Sequence, residues 1–154
     1  MKKKIQNLLK NKDIQQIIKY IVFGILTTLV NWAVYFSLTF LLKPENYLKG
    51  SFEHAAILNI SNLAGWILSV IFAFFTNRKY VFNSTSNDKK SKWMEFALFV
   101  SARVLSLLLF DVALYNVCIY AFNMQHGVVK ILMNVLVVVF NYFASRFVIF
   151  RQKK

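Results

Sequence analysis

Between Lys19 and Lys43 the chain runs from Tyr20 to Leu42, 23 residues, without a charge. A helix of that length reaches roughly 34 Å at about 1.5 Å per residue, enough to cross the hydrocarbon of a bilayer with some tilt. Three more apolar runs follow, over residues 55–77, 96–122 and 127–146, so the sequence predicts an all-α polytopic membrane protein with four transmembrane helices. Composition points the same way. Hydrophobic residues make up 58% of the 154, yet the formal net charge is +13, and mean hydropathy is +0.50. A soluble domain of this size has no way to hide so much apolar surface while carrying so much charge.

The second and fourth runs close on the same stretch. One reads Phe72-Ala73-Phe74-Phe75-Thr76-Asn77-Arg78-Lys79-Tyr80-Val81-Phe82, the other Phe140-Asn141-Tyr142-Phe143-Ala144-Ser145-Arg146-Phe147-Val148-Ile149-Phe150. Arg78 pairs with Arg146, Phe75 with Phe143 and Phe82 with Phe150 at one offset, which marks an internal duplication. Each half is then a two-helix hairpin beginning and ending on one side of the membrane. Two such repeats have parallel orientation and are expected to be related by an axis along the membrane normal.

Charge placement sets the expected orientation. Residues 1–19 form a basic cytosolic or interfacial arm in which Lys2, Lys3, Lys4, Lys10, Lys12 and Lys19 face one acid, Asp13. Ile5, Leu8 and Leu9 suit a membrane surface with the lysines at headgroup level. The apolar run that follows at once argues against nucleic-acid binding, and its length and lack of a small-residue cleavage site argue against a signal peptide. Arg78, Lys79, Lys89, Lys90 and Lys92 crowd the middle loop and Arg146, Arg151, Lys153 and Lys154 the tail, whereas the other loops hold only Lys43 and Lys49. Both termini and the middle loop are therefore expected in the cytosol, and residues 20–154 form one transmembrane domain. Asn77, Arg78 and Arg146 read as membrane-edge anchors. The one cysteine, Cys118, lies in an apolar run as a packing residue. His54 and His126 lack the further ligands a zinc site needs, so no metal or cofactor is implied.

Two cations escape this pattern, Arg103 and Lys130, together with one acid, Asp111. Only 15 uncharged residues separate Lys130 from Arg146, so Lys130 falls inside the membrane, entering from the outer side. Arg103 lies ~12 Å from the cytosolic edge marked by Glu95, and Asp111 another ~12 Å on. Each costs on the order of 3 kcal/mol at the membrane core. An Asp111–Lys130 ion pair with Arg103 snorkelling to headgroups is one way to offset this. The other is an anionic ligand, and the planar fork of an arginine suits a phosphate.

Polar stripes accompany these charges. Lys130, Asn134, Asn141 and Ser145 fall within about 60° of one another on the last helix. Asn59, Asn62 and Asn77 line the second, and Gly24, Thr28, Asn31 and Tyr35 the first. Such stripes either glue helices together or line a path. In the second case the asparagines hydrogen-bond sugar hydroxyls and Phe99, one turn from Arg103, packs on a sugar ring.

On its Asn77-Arg78-Lys79-Tyr80-Val81-Phe82 exit, the second copy around Asn141 and Arg146, and Gly24, the chain resembles the GtrA-like membrane proteins from Tyr20 to Phe150. Its second exit departs from their pattern, with Ser145 before the arginine and no Trp or Tyr in Phe147-Val148-Ile149. The resemblance, with the teichoic-acid glycosylation branch in particular, implies translocation of a monosaccharide linked to a polyprenyl carrier such as undecaprenyl phosphate. It implies phosphate binding at Arg103 and Lys130, with Phe99, Asp111, Asn134, Asn141, Asn62 and Asn31 lining the way. Membrane lipids, membrane glycosyltransferases and a second copy of the chain are the partners it suggests. Enzyme activity is not expected, since no sizeable aqueous domain carries acids and no Gly-rich phosphate loop is present. A small multidrug exporter would need a carboxylate in a groove poor in positive charge. An accessory subunit docking a glycosyltransferase through Lys89, Lys90 and Lys92 is the alternative.

Overall fold

The computed structural model describes residues 11–84 and 88–150. The lysines of the first ten residues, with Ile5, Leu8 and Leu9, and the cations at 151–154 lie outside the described residues. Helices supply all the regular structure of the described residues, and the chain gathers into two compact units, Met1–Asn83 and Ser84–Lys154. Each is a helical hairpin, and the division falls between the two copies of the repeat.

In the first unit, α1 spans Lys12–Leu42. It starts well before Tyr20 because its start is set by a cap and not by the end of the charges. The Asn11 side chain accepts from Asp13 N, and Asp13 suits the positive end of the helix. Lys43, in the left-handed region at φ 47°, turns the chain into Pro44 and stops it. After a turn containing Gly50, Ser51 caps α2, Phe52–Thr76. Along α2 the buried face is Ser61, Gly65, Ser69 and Ala73, small residues four apart that let backbones approach. A Cβ built at Gly65 would sit 2.9 Å from the Asn31 carbonyl of α1, whereas one at Gly24 meets nothing within 4 Å. The glycine that matters to packing is Gly65.

α2 leaves through a π turn, Asn77–Val81, and this exit holds the foot of α1. Gln16 Nε2 donates to Val81 O at 3.1 Å, Tyr80 stacks on Phe23 at 5.4 Å, and Phe82 meets Tyr20 edge-on at 6.3 Å.

The second unit opens with α3, Lys89–Ser106, capped by Asp88. The helix widens into a π segment, Leu107–Leu114, and resumes as α4, Tyr115–Tyr120. After a turn with Asn123 at φ 49°, α5 covers His126–Ala144 and also ends in a π turn, Ser145–Ile149. Cys118, Ile119, Val129 and Met133 form a core beside the turn, where Cys118 is a free, buried packing residue.

The two exits match in backbone as well as sequence. Phe82 N–H donates to Asn77 O, and Phe150 N–H to Ser145 O, each at 2.9 Å across five residues. In an unbroken α-helix residues seven apart share a face to within about 20°, so Phe82 would follow Phe75 outward. Phe75 and Phe143 are indeed exposed, while Phe82 and Phe150 are buried. The extra residue of the π turn swings the last ring inward.

Phe40, Leu48, Phe52 and Tyr120 are each more than two-thirds exposed. Four continuous helical stretches, Lys12–Asn46, Phe52–Val81, Lys89–Tyr120 and His126–Ile149, are long and apolar enough to cross a membrane. Lipid covers such side chains without the hydration cost that water would impose.

Candidate functional site

The charged residues inside the spans lie in the second unit, and α3, the π segment and α5 position them at two levels. At the first level Glu95, Phe99 and Arg103 recur every four residues on one face of α3. The Arg103 guanidinium carbon is 3.6 Å from the Phe99 ring centroid, a cation–π contact strengthened by desolvation. The exit phenylalanine, Phe150, packs on that ring as well, 5.9 Å away, and Phe99 is 0% exposed. Glu95 is buried too and accepts from Ser84 Oγ at 2.8 Å.

One turn beyond Arg103, the buried Ser106 joins the two helices. Its Oγ donates to Arg103 O at 2.9 Å and accepts from Asn141 Nδ2 at 3.0 Å. Asn141 Nδ2 also donates to Val137 O at 2.9 Å. Next to it Tyr142 takes a hydrogen bond from Arg146 Nη1 at 3.0 Å, which ties the Arg146 head to its own helix.

At the second level Lys130 Nζ lies 2.8 Å from Asp111 Oδ1. The two side chains are 56% and 26% exposed respectively, so the pair is open on one side. Tyr115 lies under the ammonium, 6.0 Å from it, and its hydroxyl meets His126 Nδ1 at 3.2 Å. The π segment is what brings Asp111 to this place. In an unbroken α-helix Asp111 would stand about 80° from Arg103, and the wider turns swing it back toward the Arg103 side.

The asparagines separate into two groups. Asn141 is buried in the helix pair, whereas Asn134 and Asn62 are exposed beside buried faces formed by other residues. Asn31 is half-buried with its backbone and amide against Gly65, as a packing residue of the first unit. Asn77 is 3% exposed, with Nδ2 donating to Ala73 O at 2.8 Å, because it opens the π turn and its amide turns inward. Ser106, Tyr142 and Tyr115 escaped notice in the sequence, where a lone hydroxyl in an apolar run is a weak signal.

Among the described residues four long apolar helices, with an arginine, a lysine and an aspartate inside the last two, define a multi-pass membrane protein. The chain belongs to the GtrA/DPMS transmembrane domain family, whose model matches residues 19–150. It is 35% identical over 135 residues to the uncharacterized membrane protein YwcD of Bacillus subtilis (strain 168), covering 88% of this chain and 96% of that one. It is 32% identical over 142 residues to the cell wall teichoic acid glycosylation protein GtcA of Listeria monocytogenes, covering 92% and 89%. A bactoprenol-linked glucose translocase of Salmonella phage P22 is 31% identical over 68 residues, 44% of this chain and 47% of the phage protein. No solved structure matches the chain.

Proposed function

We propose that this protein translocates a monosaccharide linked to a polyprenyl phosphate across the cytoplasmic membrane, for glycosylation of a cell-surface polymer such as teichoic acid. The observation that carries this reading is the pair of cations held at two levels of one membrane-spanning helix pair, Arg103 on the Phe99 ring and Lys130 on Asp111. Relatives named for teichoic acid glycosylation and for translocation of bactoprenol-linked glucose support it. With both termini in the cytosol, the carrier's phosphate engages Arg103 first. Lys130 receives it near the outer surface, where a phosphate competes with Asp111 for the ammonium. The prenyl tail stays in lipid throughout, and removal of sugar outside draws the exchange forward. Asn141 and the exposed Asn134 offer amides to the sugar. Chemistry on the substrate is not part of this reading.

The test is reconstitution of the purified protein in liposomes with a glucose-bearing polyprenyl phosphate, following exposure of the sugar on the opposite leaflet. Acceleration over protein-free liposomes is expected, and Arg103→Ala should abolish most of it. No acceleration by the wild type would sink the translocase reading. A docking role for a glycosyltransferase has one observation behind it, the exposed Lys89, Lys90 and Trp93 at the start of α3. It gains if exchange of Lys89, Lys90 and Lys92 for glutamine stops surface glycosylation while Arg103→Ala and Lys130→Ala do not.

A further inference from the structure

Two buried polar atoms on one face of the last span have no hydrogen-bond partner among the described residues, Asn141 Oδ1 and Ser145 Oγ. Asn141 is 6% exposed and Ser145 0%. They are one turn apart, about 6 Å along the axis and about 40° around it. Burying a polar atom without a partner is costly, and in a membrane-spanning hairpin water is not at hand to relieve it.

Their orientation is imposed. The Asn141 amide has two N–H groups, and Ser106 Oγ and Val137 O both accept from Nδ2. That fixes the flip of the amide and leaves Oδ1 as an acceptor. Ser106 is held in turn by its bond to Arg103 O. Asn141 is thus joined through Ser106 to the Arg103 backbone carbonyl, leaving Oδ1 as an acceptor, and one turn on stands Ser145 Oγ, a hydroxyl able to donate or accept. The first repeat has alanine, Ala73, where the second has Asn141, and Asn77, in the place of Ser145, also leaves a buried side-chain oxygen without a partner, so only the second hairpin sets two such atoms one turn apart at these positions.

We infer that Asn141 Oδ1 and Ser145 Oγ form a hydroxyl-recognition subsite for the sugar of the lipid-linked substrate, with Ser106 as the positioning residue that holds the Asn141 amide. This rests on the translocase reading above and extends it from phosphate to sugar. A hydroxyl donates to Oδ1 while a neighbouring one exchanges a hydrogen bond with Ser145. Because the sugar is joined directly to the phosphate, a phosphate at Arg103 brings its hydroxyls to the next turn. An O–H group from a trapped water would satisfy the same atoms, and the experiment separates the two sources.

The full-length protein in lipid nanodiscs is titrated with polyprenyl phosphate and with the same lipid bearing glucose. Ser106→Ala and Ser145→Ala should each weaken binding of the glucose-bearing lipid by about tenfold, the scale of one lost hydrogen bond to a committed site, and of the sugar-free lipid by less than about twofold. Ser106→Thr, which keeps the hydroxyl, should bind both lipids as the wild type does. Ser145→Ala should melt no lower than the wild type, since it removes an unsatisfied group, so lost sugar affinity in that variant is not lost folding. Equal losses for both lipids, or none for either, would mean a water site or simple packing and would overturn the subsite alone. If the wild type binds neither lipid, the translocase reading fails and the subsite falls with it.

Discussion

Gly65 and Gly24 look alike in the sequence, each a glycine within an apolar run, yet they carry different loads. A methyl group at 65 meets the Asn31 carbonyl at 2.9 Å, a backbone atom with little freedom to move. Gly65→Ala should destabilise the first hairpin by about 1–3 kcal/mol through overpacking. Gly24→Ala meets open space and should be neutral or stabilising by up to about 1 kcal/mol from helix propensity. Thermal unfolding of the two variants in one detergent orders them, and equal melting points would contradict the close approach. The Asp111–Lys130 pair invites a second comparison at this scale. Asp111→Asn and Lys130→Gln each leave one partner alone, while the double variant leaves no charge. If the pair is purely structural, surface glycosylation lost in the single variants should return in the double. If Lys130 receives a phosphate, as proposed, the double variant should remain inactive. Immunoblots of membrane fractions check that each variant inserts.

The π-helical segments are the elements that sequence periodicity could not foresee. Asn77–Val81 and Ser145–Ile149 end the two repeats, and Leu107–Leu114 interrupts the third span around Asp111. Such segments cluster at functional sites. Deleting Leu108 should return the segment to α-helix and, at about 100° per residue, leave Asp111 seven residues and about 20° from the Arg103 face, still beside Lys130. In a Cys118→Ser background, Asp111→Cys and Lys130→Cys together should be bridged by a short thiol-reactive cross-linker with or without Leu108. An alanine inserted after Leu108 should instead rotate the rest of the span by about 100° and lower the yield by at least about tenfold. Undiminished cross-linking in the insertion variant would show that the π segment does not set this register. Lys89, Lys90 and Lys92 at the start of α3 run against the helix dipole, which favours acids there. Their retention fits a cytosolic end attracted to anionic lipid headgroups rather than a helix optimised in isolation.

For the whole molecule the strongest expectation is topology. Basic residues bracket the first and last spans on one side, so reporters fused to either terminus should be active only in the cytosol. Cysteines replacing Tyr47 or Met124, in the same Cys118→Ser background, should be labelled from outside by a membrane-impermeant reagent. A terminus found outside would reverse the order in which Arg103 and Lys130 meet the substrate. The two compact units coincide with the duplicated halves. Both bury hydroxyls and an amide, Ser61, Ser69, Thr76 and Asn77 in the first and Ser106, Ser145 and Asn141 in the second, while Arg103, Asp111 and Lys130 belong to the second.

Length and hydropathy by themselves determined four spans, since membrane thickness and the restriction of polar backbone to helices leave few alternatives, and the repeated exit stretch carried the duplication and the resemblance to the family. They also singled out Arg103, Asp111 and Lys130, because a charge among apolar residues is conspicuous in any register. Which polar groups turn inward was decided only by the tertiary structure. Even α-helical spacing reveals neither the guanidinium of Arg103 on the Phe99 ring nor the π turn that buries Asn77. Ser106 and Ser145 are too small and too mild to mark a hydropathy profile. Their importance arises where two helices meet and a hydrogen bond is either made or left open.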